Sequence, residues 1–96
     1  MRLRAAVDLD PSVASYWNVL GMTLGGRGLL AEAEQAFREA LRLDSRNHHH
    51  AYNLGLILLR QGRNADARPF FEQALALDPR FAPARARLAE MGKRAG

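Results

Sequence analysis

Apolar residues recur every three or four positions along most of this chain, and the pattern is broken at Pro11, Gly28, Gly62 and Pro79. That spacing returns side chains to one side of an α-helix, and nowhere do β-branched residues alternate as a strand would require. In residues 48–61, Ala51, Leu54, Gly55 and Leu58 fall on one face, as do Phe81, Ala84, Leu88 and Met91 near the C-terminus. The pattern predicts helices over residues 2–9, 14–26, 30–43, 48–61, 64–77 and 82–93. Links of a few residues around Gly28 and Gly62 force antiparallel pairs, and Asn47 stands where an N-cap would. Gly25 and Gly26, each about 1 kcal/mol worse than alanine in a helix, predict a frayed end to 14–26. Pro69 predicts a mild bend early in 64–77.

The pattern also repeats. Residues 14–47 laid over residues 48–81 give twelve identities, among them Leu20/Leu54, Gly21/Gly55, Gly28/Gly62, Ala33/Ala67, Phe37/Phe71, Ala40/Ala74 and Asp44/Asp78. Upstream, Leu3, Ala6, Val7 and Leu9 precede Phe37, Ala40, Leu41 and Leu43 by the same 34 residues; downstream, Ala82, Leu88 and Ala89 follow His48, Leu54 and Gly55. A fixed period in this range marks a stacked repeat protein, in which each unit buries its apolar face against its neighbours. The register divides the single domain 1–96 into the second half of a partial repeat (1–13), two repeats (14–47 and 48–81) and a closing helix with a basic tail (82–96). The small residues at 21, 33, 40, 55, 67 and 74 let helices approach, and Phe37 and Phe71 are expected to fill the space between successive pairs.

Trp17, Leu20, Gly21, Ala33, Phe37 and Ala40 in the first copy, and Leu54, Gly55, Ala67, Phe71, Ala74 and Pro79 in the second, resemble the tetratricopeptide repeat, with its Trp, Leu-Gly, Ala, Phe and Pro at set intervals. Leu24 and Leu58 replace that family's tyrosine, Ala51 its tryptophan and Ser45 its proline. The resemblance implies an all-α, right-handed superhelix (α-solenoid) of antiparallel helix pairs, whose concave face is lined by the first helix of each pair. It also implies a non-catalytic protein-interaction module. One subclass clamps a chaperone's C-terminal carboxylates with lysines, asparagines and an arginine; only Asn53 and Arg87 match it, while Asn18, Met22 and Pro83 stand where it has Lys, Asn and Lys. Chaperone-tail binding is therefore not expected.

Ninety-six residues, 48% of them apolar, are near the minimum for a free-standing stack. No apolar run approaches the ~18 residues of a membrane span, and Asp8 and Asp10 spoil a signal-peptide reading. Without cysteine there is no thiol nucleophile, disulfide or zinc-thiolate site, and the compartment stays open. The net charge of +4 changes the picture through its location: residues 1–79 hold nine basic and nine acidic groups, whereas Arg80, Arg85, Arg87, Lys93 and Arg94 face Glu90 alone in 80–96. Cations late in a helix suit its dipole, and with no base-stacking aromatic beside them nucleic-acid binding ranks last.

Candidate chemistry is thin. His48, His49 and His50 are consecutive, so on a helix they point about 100° apart rather than onto one metal. Gly25-Gly26-Arg27-Gly28 has neither a preceding strand nor a following lysine-serine pair, so it reads as a turn and not a phosphate loop. No nucleophile-base arrangement is visible; neither catalysis, a cofactor nor a metal is expected. What remains is a surface. His49, Tyr52, Asn53, Leu56 and Arg60 share a face turned from the packing residues, and the matching stripe in 14–26 is Ser15, Asn18, Met22, Gly25 and Gly26. Ala86, Arg87 and Glu90 continue it in the last helix. The expected partner-binding groove is thus Asn18, Met22, His49, Tyr52, Asn53, Leu56, Arg60 and Arg87. Its partner is a protein or peptide segment, acidic to suit Arg60 and Arg87, with affinity rising as His49 charges below pH ~6.5. The alternative is a structural fragment of a longer array that self-associates, as a homo-oligomer, through its end helices.

Overall fold

The computed structural model describes residues 12–95, and the side chains of residues 13–92. The predicted helix over 2–9 lies outside them. Five helices follow one another: α1 (Ser12–Gly26), α2 (Leu30–Leu43), α3 (His48–Arg60), α4 (Asn64–Leu77) and α5 (Ala82–Ala95), with no strand among the described residues. Each packs chiefly on its sequence neighbours: α1 on α2 and α3 on α4 as pairs, with α2 against α3 and α4 against α5 stacking the pairs into an α-solenoid.

The glycines at 28 and 62 end the first helix of each pair in the same way. Their φ angles are 80° and 77°, a left-handed conformation that a Cβ would strain. Beyond them Leu29 N–H reaches Leu24 O, and Arg63 N–H reaches Leu58 O, both at 3.0 Å. These six-to-one bonds satisfy carbonyls that the helix would otherwise leave open. The links between pairs also repeat: Asn47 N–H donates to Asp44 O at 3.2 Å and Phe81 N–H to Asp78 O at 3.0 Å. The expected cap at Asn47 forms, its Oδ1 accepting from His49 N at 3.0 Å.

One local expectation meets a different outcome. α1 continues through Gly25 and Gly26 instead of fraying, and Arg27 N–H still bonds Thr23 O and Leu24 O. Neighbours hold it there: Gly25 is buried, and a Cβ on it would lie 3.1 Å from Ile57 Cδ1. α4 runs from Asn64 to Leu77 with Pro69 inside it, as the spacing predicts.

The core joins Phe37, Leu54, Ile57, Leu58 and Phe71 with buried alanines from four helices, and Ala84 and Met91 of α5 close it. Phe81 and Leu88 pack beside them. Each phenylalanine lies over the glycine of its own pair: a Cβ on Gly21 would come within 2.7 Å of the Phe37 ring, and one on Gly55 within 2.8 Å of Phe71. The rings thus fill intra-pair notches as well as joining the core that continues into the next pair.

One polar tie between pairs has no counterpart 34 residues on. Glu34 of α2, almost wholly buried, accepts from Gln61 at 3.0 Å and Arg63 at 2.8 Å in the turn after α3, and pairs with Arg38 at 2.8 Å. Burial would raise its pKa, but the hydrogen bonds from Gln61 and Arg38 and the charges of Arg38 and Arg63 outweigh that, holding the carboxyl below its ordinary value.

Candidate partner-binding groove

α1 and α3, the first helices of the two pairs, are joined by an amide bridge in which Asn53 Nδ2 donates to Asn18 Oδ1 at 2.9 Å. Asn18 also reaches the Met22 sulfur, 3.6 Å away. Beside this bridge lies a groove of about 330 Å³. Phe37 and Ile57 form its buried floor, Met22 and Leu56 are side walls, and Gly21, Gly25 and Gly26 give the α1 side almost no relief. Asn53 and Arg60 complete the lining, seven residues or about 10 Å apart along α3.

Among the described residues, Arg60 is the only charged one on that lining. It is exposed and makes no ion pair or hydrogen bond among the described residues. Its Nη1 stands 3.5 Å from the place a Gly25 Cβ would occupy, so the guanidinium overhangs the glycine side of the groove. Of the residues singled out from sequence, the structure therefore brings Met22, Asn53, Leu56 and Arg60 together, with Asn18 bonded at the edge.

His49, Tyr52 and Arg87 are elsewhere. Tyr52 packs with its ring 5.6 Å from Phe71 and 5.1 Å from Phe81, and His49 lies edge-on to Phe81 at 5.4 Å. A hydrogen bond to Tyr52, with the nearby Glu90 charge, raises the Arg87 pKa against the effect of its burial. Together they form an aromatic junction that ties α3 to the α4–α5 link. Spacing placed these side chains on one helix face; it did not reveal that Phe81 would cover part of that face.

Two of the three histidines stay together: the His48 and His49 ring centroids are 4.2 Å apart and both rings contact Phe81, while His50 is buried apart from them. His48 Nε2 lies 3.4 Å from Asp78, His49 rests on Phe81, and His50 is only 3% exposed with its Nε2 3.7 Å from Asp44. Neither ring nitrogen of His50 has a hydrogen-bond partner among the described residues. Burial pushes its pKa below the ordinary 6.5, with Asp44 opposing and His49 reinforcing. No three potential metal ligands cluster among the described residues, and none of the described helices is long and apolar enough to cross a membrane.

A family model described as tetratricopeptide repeat matches residues 2–48 and again residues 20–82. The chain belongs to the tetratricopeptide repeat family. No curated protein sequence matches it. Tetratricopeptide repeats are generally protein–protein interaction modules and are generally non-catalytic. The solenoid of helix pairs is this family's architecture, and the α1–α3 groove lies between the first helices of two consecutive repeats.

Proposed function

We propose that the groove between α1 and α3 is where this tetratricopeptide repeat protein docks a segment of another protein. The observation that carries the reading is the groove itself: about 330 Å³, mostly apolar, with an amide bridge beside it and one unpaired cation. The volume is at the lower end of ligand-sized pockets, which suits one or two side chains of an extended segment. Asn53 offers its Oδ1 to a backbone N–H, since only its Nδ2 is used by Asn18. Arg60 favours an acidic segment. His49 rests on Phe81, so the groove's charge comes from the Arg60 guanidinium.

The test begins with a displayed library of random peptides selected on the full chain. Asn53→Ala combined with Leu56→Ala, shown by circular dichroism to stay folded, should weaken the selected peptides at least about tenfold, as loss of a central contact does. Peptides that keep parental affinity for that variant would show that the groove is not the docking site. Tyr52 is a poorer probe, because removing it also strips packing from Phe71 and Phe81.

A second reading, assembly through the end helices, is favoured by one observation. Tyr16 is 50% and Val19 59% exposed on α1, whereas the equivalent His50 of α3 is buried at 3% and Asn53 is half-buried. An apolar patch of this kind suits a protein contact. Light scattering over a concentration series decides it: a monomer at every concentration removes self-association.

A further inference from the structure

The groove exists because α1 lacks side chains where α3 has them. Gly25 and Gly26 occupy the positions that Leu59 and Arg60 hold in the second copy. Packing accounts for some of the glycines and not for others. A Cβ on Gly21 would collide with Phe37, and one on Gly25 would press on Ile57 at 3.1 Å, but one on Gly26 meets nothing within 4 Å. Gly26 also has no left-handed φ to require it. A residue that disfavours helix thus forms the last position of α1, with open space above it, on the wall of the groove.

Resting on the groove-docking reading above, we propose that the open position at Gly26, on the groove wall beside Gly25, is a notch that seats one bulky apolar side chain of the partner. Arg60, in turn, receives a carboxylate carried within one or two residues of that anchor. The floor of Phe37 and Ile57 offers apolar contact, and Met22, 56% exposed and flexible, is a wall that adapts to the anchor's shape. Aromatic anchors seated in desolvated pockets dominate binding in protein interfaces. The acidic requirement follows from charge: among the described residues Arg60 is the only charged group on the lining and none there is an acid that competes for it, and its guanidinium overhangs Gly25 closely enough for the same segment to meet both. A guanidinium and a carboxylate pair bidentately, which fixes the distance between acid and anchor. The recognised chemistry is therefore an adjacent pair, one large apolar residue and one Asp or Glu, in an extended segment that passes Asn53.

The experiment uses the full chain, the displayed random-peptide library and synthetic versions of a selected peptide whose central pair is set to Trp-Asp, Trp-Asn or Ala-Asp. Selected sequences should be enriched in such pairs. Trp-Asp should bind about tenfold more tightly than Trp-Asn, in keeping with a charge-assisted hydrogen bond, and that preference should vanish in Arg60→Gln. Gly26→Leu should fill the notch and lower Trp-Asp affinity at least about tenfold, while Gly26→Ala binds nearly as the parent does. Equal affinities for Asp and Asn peptides in the parent overturn the acidic pairing. Unchanged Trp-Asp binding by Gly26→Leu overturns the notch. If either happens while Asn53→Ala with Leu56→Ala still abolishes binding, the groove reading stands and only the notch falls. If no peptide binds the parent, both fall.

Discussion

Phe71 is the bulkiest side chain with no exposed surface, wedged over Gly55 and beside Tyr52. Phe71→Ala should cost about 3–5 kcal/mol, read as a drop in the denaturant midpoint; an unchanged midpoint would contradict the packing. The glycines make a sharper test because they separate into two kinds. Gly55→Ala drives a methyl to within 2.8 Å of that ring and should destabilise by about 1–3 kcal/mol despite alanine's better helix propensity. Gly26→Ala meets open space and should stabilise by about 0.5–1 kcal/mol. At His50 the direction follows from burial. Its folded pKa lies below the ordinary 6.5, so the unfolded chain takes up the proton more readily. Its contribution is complete above that value and is lost as the pH falls through it. Comparing urea midpoints at about pH 7.5 and about pH 5.5 should show His50→Leu losing less stability than the parent. Equal losses would place the pH dependence on other groups.

At the scale of elements, α5 covers an apolar face through Ala84, Leu88 and Met91, with Phe81 just before it, and belongs to the same core as α4. A chain ending at Arg80 should therefore melt well below the parent; an unchanged thermal midpoint would mean that α5 is an appendage. The helices were largely legible in the sequence because the three-and-four spacing and the twelve repeat identities express one constraint, the burial of a face against a neighbouring pair. Gly28 and Gly62 were legible for a similar reason, since each closes a helix end. The end of α1 was misread because propensity at Gly25 and Gly26 says nothing of Ile57 and Arg60 lying across it. The groove was legible in part. Spacing put His49, Tyr52, Asn53, Leu56 and Arg60 on one face, but only the folded chain shows Phe81 claiming the first two. Glu34 escaped notice because comparing copies highlights what they share, and Arg68 stands at its equivalent position.

For the whole molecule, a stack coupled only through nearest neighbours should be most protected at its centre. The α3–α4 pair, flanked by α2 and α5, should therefore show the slowest amide exchange, and equal rates in α1 would argue against that ordering. The basic end is less free than its charge implies: Arg85 donates to the Pro79 carbonyl and Arg87 pairs with Glu90 at 3.4 Å. The tie from Glu34 to Gln61 and Arg63 has a consequence for how such a chain could be lengthened or shuffled. If the second unit were followed by another copy of itself, Arg68 would face Gln61 and Arg63 of the newcomer, setting cation against cation at a junction where the native chain places an anion. A copy of the first unit placed after itself would instead offer Glu34 the side chains of Arg27 and Leu29. Two modules that look interchangeable by their shared leucines, glycines and phenylalanines thus carry a written order, and a consensus averaged over them would erase it.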